Sequence, residues 1–256
     1  MTAKALTLLA PSGFPEVQPG AALDELVARA LEADGISLES GDILVFAQKI
    51  VSKSEGRLRR LSEVVPSERA IELAARSGKD ERVVELVLRE SRAVLRCVSG
   101  VLIVEDVRGF VMANAGIDAS NVRSPDGQES VLLLPEDPDA SAQRLRDAFS
   151  SRFGVPVGVV INDSWGRAWR NGTVGTAIGV AGLPGLLDLR GTLDRQGRPL
   201  MTTEVGIADE VAAAASMLMG QAGEGRPVVL VRGFPYELRP GRARELVRPS
   251  SQDLFR

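Results

Sequence analysis

With 256 residues, 44% of them hydrophobic and 25% charged, the chain has an ordinary globular composition and length enough for one large domain or two smaller ones. Its 31 basic residues are interspersed with 34 acidic ones, and the net charge of −3 argues against a nucleic-acid partner. No histidine occurs, which excludes Ser-His-Asp and Cys-His triads, His-ligated zinc and imidazole acid–base chemistry.

Any metal must therefore be held through oxygen, as suits Mg2+, Mn2+ or Ca2+. The single cysteine, Cys97, cannot close an internal disulfide and in its apolar context reads as a small buried hydrophobe. That count fits a reducing compartment. The first residues lack the pattern of a secretory leader, and no apolar run approaches the length of a membrane span. A cytoplasmic protein with no membrane partner is the expectation.

In chain order, residues 5–10 read as a first strand and 11–20 as a Pro- and Gly-containing loop. The apolar spacing of Leu23, Leu26, Val27, Ala30 and Leu31 predicts a helix. Residues 42–47 form a buried-type strand, with Gln48, Lys49, Ser52, Lys53 and Glu55 at its carboxyl end. Two lysines there suit an anionic ligand such as a phosphate chain, and a solvated loop is the plainer reading. Helices are predicted from a Ser67 cap to about residue 75 and over 81–90. Residues 101–111 read as two strands joined by a tight turn at Arg108-Gly109.

The run MANAGIDASNV (112–122) gathers Asn114, Asp118, Ser120 and Asn121 where a strand gives way to a loop. Its oxygens could take a hard cation through Asp118, or simply satisfy local backbone donors in an Asx-rich turn. A short strand over 131–134 precedes a helix within 135–154, with Asp139 or Ser141 near its start and Gly154 at its end. Residues 157–161 read as a buried strand from whose end Asn162, Asp163 and Ser164 emerge, followed by Arg167 and Arg170. That group could clamp a metal-bound phosphate or a carboxylate, or form a polar turn. TVGTAIGVAGLPG (173–185) is no P-loop, and its glycines fit close backbone packing. A long Ala-rich helix over 207–219 leads to the Gly-rich turn MGQAGEGRP, whose amides could meet a nucleotide or merely stop the helix. Residues 227–231 read as a last strand.

Five blocks taken together carry a resemblance over residues 6–233: GDILVFAQKIVSKSEGR, NAGIDASNV, DPDASAQRLR, INDSWGRAWRNGTVGTAIGVAG and TTEVGIADEVAAAASMLMGQAGEGRPVVLVRG. The chain resembles the coenzyme F420-0:L-glutamate ligases, the gamma-glutamyl ligases of deazaflavin cofactor biosynthesis. The resemblance implies a mixed α/β, two-lobed fold in an intertwined homodimer. The ligase domain would span 1–233, with 234–256 a peripheral tail and no flavin-binding domain after it. It further implies GTP as co-substrate, Mg2+ or Mn2+ (two ions), and K+. L-glutamate would be joined to the lactyl carboxylate of the F420-0 precursor, then a further glutamate to the gamma-carboxylate of the first.

Residue by residue, the resemblance makes Asp118, Asp163 and Ser164 metal ligands, with Gln221 beside a second ion. It makes Gly13, Phe14, Pro15, Glu16, Gln48, Lys49, Lys53 and Asn121 nucleotide contacts, together with the turn Met219, Gly220, Gln221, Ala222, Gly223, Glu224, Gly225 and Arg226. Lys53, Arg167 and Arg170 are assigned to meet phosphate or carboxylate oxygens during catalysis. Gln221 stands where some members carry Glu, so it brings an oxygen without a charge. Ala47-Gln48-Lys49 also departs from the small hydroxyl residues of some relatives. Two other readings stay open: a nucleotide-binding homologue without catalysis, and a metal-dependent phosphotransferase on another anion.

Overall fold

The computed structural model describes residues 4–118, 127–235 and 238–253. In chain order the elements are β1 (Thr7–Leu9), α1 (Leu23–Ala33), β2 (Ile43–Ala47), α2 (Gln48–Ser54), β3 (Leu58–Arg60), α3 (Glu68–Ser77) and α4 (Glu81–Arg89). There follow β4 (Ser91–Val98), β5 (Val101–Asp106), β6 (Val111–Ala113), β7 (Ser130–Leu132) and α5 (Pro138–Phe153). The chain continues through β8 (Gly158–Arg167), β9 (Arg170–Ala181), β10 (Leu187–Asp188), β11 (Glu204–Val205), α6 (Ile207–Met219) and β12 (Val228–Arg232). The class is mixed α and β, as the residues imply.

A five-stranded sheet of order β1-β12-β2-β8-β9 forms the centre, with β2 and β8 parallel and the other neighbours antiparallel. Its middle strands read as unbroken apolar runs because neither face meets water. Ile43, Leu44, Val45 and Phe46 are fully buried, as are Val159, Val160, Ile161, Val229, Leu230 and Val231. The helices α5 and α6 both pack on β8 and β9.

Opposite Ile161 and Asn162 the strand β9 carries one extra residue: Ile161 pairs with Gly179, and Asn162 with Ala177. This bulge reverses the side-to-side alternation. A Cβ on Gly179 would run into Pro138 at the start of α5, and one on Gly175 into Ala212 and Ser216 of α6. These glycines let backbone approach backbone, which is the role their sequence context implies.

Two smaller apolar clusters stand apart from this core. One joins Ala70, Leu73, Val84, Val87, Leu102 and Val104; the other joins Leu61, Leu86, Val131 and Leu133. The sheet β4-β5-β6 and the pair β3-β7 belong to this region. A charged network links it to the chain entering α5. Glu90 binds Arg57 at 2.8 Å and Arg108 at 3.1 Å, and Arg108 also holds the buried Asp106 at 3.0 Å. The two guanidiniums donate onward to the carbonyls of Leu134 and Pro135.

Several elements depart from the sequence reading. The polar residues after Lys49 continue a helix rather than a loop, and β8 runs on through Asn162, Asp163 and Ser164 to Arg167 rather than ending at Ile161. The cap of α5 is Asp137, which accepts from the Ala140 amide, while Asp139 instead bonds the amides of Val180 and Ala243. Ser67 caps α3 and left-handed Gly154 ends α5, both as read. Within the segment read as a peripheral tail, Ala243 is fully buried in the main core, and Glu245 accepts from the amides of Gly185 and Leu186.

Candidate functional site

Parallel pairing of β2 with β8 brings their carboxyl ends to the same edge of the sheet, with Ala47 opposite Asn162. The chain turns from Ala47 directly into α2, which sets Gln48 and Lys49 beside Asp163. A cleft of about 520 Å3 opens at this edge. That size lies within the ~300–1,000 Å3 usual for small-molecule sites. Its walls comprise Phe14, Pro15 and Glu16 from the loop before α1, Gln48, Lys49 and Lys53 from α2, Asn162, Asp163 and Ser164 from β8, and the whole turn 219–226.

The charged side chains in the cleft are tied to one another. Lys49 Nζ lies 2.6 Å from Asp118 Oδ2, and Lys53 Nζ lies 2.6 Å from Glu16 Oε1. Asp118 is positioned by a backbone bridge to Leu132 at the end of β7, with bonds of 3.0 and 2.8 Å in the two directions. Burial pushes the Asp163 carboxyl above the usual range, and the negative charge of Asp118 pushes it further the same way. The Ser164 amide at 2.8 Å, the Trp165 indole N–H at 3.0 Å and the Lys49 charge oppose that shift. Burial prevails.

The turn after α6 has a reason for its glycines. Gly220 has φ +75, and a Cβ there would strike the Glu224 carboxyl, which reaches back to accept from the Ala222 amide at 2.8 Å. Those amide bonds hold the Glu224 carboxyl below the usual range. At the back of the cleft Asn162 Nδ2 donates to Ser216 Oγ (2.9 Å) and Met219 Sδ (3.4 Å). Its buried Oδ1 has no hydrogen-bond partner among the described residues.

Most residues singled out in the sequence thus meet in one place, with exceptions. Gly13 precedes the lining loop without forming the wall, and Asp118 is not a wall residue either but is tied to the wall through its ion pair with Lys49. Arg167 and Arg170 pair with each other at the exposed end of the β8–β9 hairpin, outside the cleft lining. Asn121 and Ser120 lie outside the described residues. Among the described residues no three of His, Cys, Asp and Glu cluster as a metal site. The oxygens in and beside the cleft are the carboxylates of Asp163, Glu16, Glu224 and Asp118 and the neutral Ser164, Asn162 and Gln221. Sequence reasoning missed Trp165 as the partner of Asp163, although two residues apart on a strand means the same face.

The model of the F420-0:gamma-glutamyl ligase family matches residues 13–233. The chain belongs to that family. Among relatives of this ligase family, the coenzyme F420:L-glutamate ligase of Methanopyrus kandleri is 47% identical over 245 residues, covering 94% of each chain. The protein of the same name from Methanothermobacter thermautotrophicus is 44% identical over 253 residues, 98% of this chain and 99% of that one. Its namesake from Methanocaldococcus jannaschii is 42% identical over 234 residues, 91% and 90% of the two chains. The matched span of the family runs from the loop before α1 to the residue after β12 and so takes in every wall of the cleft.

Proposed function

We propose that this chain is a GTP-dependent ligase that joins L-glutamate to the lactyl carboxylate of the F420-0 precursor and then adds a second glutamate through the gamma-carboxylate. The observation that carries the reading is that Asp118 and Asp163, 45 positions apart by their own numbers, both interact electrostatically with Lys49, which together with Asp163 lines a cleft walled by a glycine turn. The relatives named coenzyme F420:L-glutamate ligase supply the acceptor and the amino acid.

The donor set fits a divalent cation, Mg2+ or Mn2+. It is all oxygen, and two carboxylates that repel one another gain from a cation between them. Asp118, Asp163 and Ser164 would hold it, with Gln221 and the orphaned Asn162 Oδ1 available to a second ion or to K+. Such an ion supplies charge neutralisation on phosphate oxygens.

A carboxylate is a poor electrophile, so the reaction needs activation. One oxygen of the acceptor carboxylate attacks the γ-phosphorus of GTP, the bond to the β-bridging oxygen breaks, and GDP leaves. The resulting acyl phosphate is attacked at carbon by the glutamate amine in its neutral form. The amide bond forms, the C–O bond to phosphate breaks, inorganic phosphate departs and the amine proton goes to solvent. The protein's part is positioning and electrostatics. Lys53 and Lys49 face the anionic chain once released from Glu16 and Asp118, and the turn 219–226 closes around the nucleotide.

Incubation with precursor, GTP, Mn2+ and glutamate, read by mass spectrometry, tests this directly: products heavier by one and two glutamyl units are expected. GTP bound but not consumed would make the chain a catalytically silent homologue. Phosphate release without glutamate would make it a phosphotransferase. A homodimer in the cytoplasm belongs to the same proposal. Trp169, 79% exposed at the tip of the β8–β9 hairpin, is an apolar group such an assembly would cover. Light scattering at monomer mass would remove the dimer. Among the described residues no helix is long and apolar enough to cross a membrane.

A further inference from the structure

Next to the nucleotide cleft lies a second, smaller pocket that the chemistry above leaves unused. It measures about 240 Å3. That is below the ~300–1,000 Å3 that encloses a whole drug-sized ligand, so it suits one ring system whose substituents extend outside. Phe110 and Trp165 form an aromatic corner, with ring centroids 5.2 Å apart and planes at 66°. Val247 and Leu246 supply aliphatic surface, Thr176 and Asp209 lie among the polar atoms, and the charged Arg248 and Asp253 also line the pocket. Asp209 Oδ1 accepts from the Ala177 amide at 2.9 Å, and Oδ2 has no hydrogen-bond partner among the described residues. Burial raises the proton affinity of this carboxyl.

The two cavities share a wall. Trp165 lines the small pocket with its ring while its indole N–H donates to Asp163 Oδ2 in the cleft, and Thr176 lies directly across the hairpin from Asp163. A flat ligand in the pocket is therefore separated from the candidate phosphoryl-transfer site by a single indole. Aromatic walls favour a planar π-system in offset or edge-to-face contact, and an acceptor oxygen at the rim favours a ring N–H or O–H.

We propose that this pocket holds the planar heteroaromatic ring of the acceptor substrate, with Asp209 accepting a hydrogen bond from a ring N–H or hydroxyl and the rest of the acceptor reaching past Trp165 to the cleft. The inference rests on the ligase reading for the identity of the acceptor. The pocket's shape and its donor–acceptor pattern stand independently of it.

The test is Val247→Trp, which fills the pocket without touching Asp163 or the nucleotide walls. Its first readout is steady-state ligation. The acceptor KM should rise by about tenfold or more while the GTP KM stays within about twofold. The second readout needs no turnover: a 5-deazaflavin bearing only its ribityl chain, without phosphate or carboxylate, is titrated against both proteins by ring fluorescence. Saturable binding to the wild type that Val247→Trp abolishes supports the assignment. Equal acceptor KM in both proteins, a parallel rise of both KM values, or fragment binding that is absent or unchanged would overturn it. Should the wild type form no glutamylated product, the ligase reading fails, and the fragment titration still decides the pocket.

Discussion

Lys49 Nζ and Asp118 Oδ2 stand 2.6 Å apart, each side chain about a third exposed at 31% and 29%. An ion pair this accessible contributes only about 0–1 kcal/mol to folding. Its significance is competitive, since the ammonium occupies the side of Asp118 that a divalent cation would need. For Lys49→Ala we expect tighter binding of Mn2+ alone and a GTP KM raised by about tenfold, with the thermal midpoint nearly unchanged. Titration calorimetry with Mn2+ and initial-rate kinetics check the two halves. Weaker Mn2+ binding in the variant would show that Lys49 does not compete for Asp118.

Asp118→Asn and Asp163→Asn should each lower kcat by about 100-fold or more while leaving the fold intact, because each removes a carboxylate that acts on Lys49 at the cleft. For Asp163 the substitution also removes a buried carboxyl that burial and Asp118 disfavour as an anion, so its denaturation midpoint should hold or rise. Turnover near the wild-type rate in either variant would take that residue out of the proposed metal site.

Gly175→Ala should destabilise the chain by about 1–3 kcal/mol, since the added methyl meets the Ala212 carbonyl, Ser216 Oγ and Asn162 Oδ1 together. Gly166→Ala, farther along the same hairpin, meets nothing within 4 Å and should fall within about 0.5 kcal/mol of the parent. Urea denaturation of the pair provides its own control.

Asp139 is pushed above its ordinary 3.8 by burial, against the amides of Ala243 and Val180 that favour the anion. A carboxyl with a raised folded pKa binds more protons folded than unfolded. Its contribution is full below the unfolded value and is lost as pH rises through the folded one. Asp139→Asn keeps an oxygen for both amides and cannot ionise. The variant should therefore gain stability relative to the parent as pH is raised from about 3.5 to neutrality. Denaturant midpoints across that range give the sign, and a relative loss with rising pH would contradict it.

Glu90→Gln should cost about 3 kcal/mol or more, because Arg57 and Arg108, with side chains only 13% and 9% exposed, would keep their charges without the carboxylate that joins them. Calorimetric unfolding checks this. A small effect would mean that the onward bonds to Leu134 and Pro135 suffice.

Where apolar period was strong, the sequence was a sound guide. The amphipathic spacing of α1 and α4, the Ser67 cap and the continuous runs of β2 and β12 all lie where residue pattern places them. The departures share a cause: local polarity imitates the end of an element. Gln48-Lys49 opens a helix of seven residues, too short for periodicity to register. Asn162, Asp163 and Ser164 remain strand because β9 supplies their ladder partners, and β9 itself is disguised by Gly and Thr. The candidate site was legible as separate polar islands. That Asp118 and Asp163 share a space depends on the bridge to Leu132 and on parallel pairing of β2 with β8, contacts that no local pattern encodes.

Ile178 acts as a parity switch. With it, odd- and even-numbered side chains trade sides midway along β9, so one strand serves α5 through its far half and α6 through its near half. Deleting this one residue would leave Gly179 opposite Ile161 and Ala177 opposite Asn162 as ordinary neighbouring pairs, so the bulge would vanish while Gly175 kept facing α6 and Gly179 kept facing α5. A one-residue deletion should therefore be tolerated better at Ile178 than elsewhere in β9, a contrast a selection on length variants would expose.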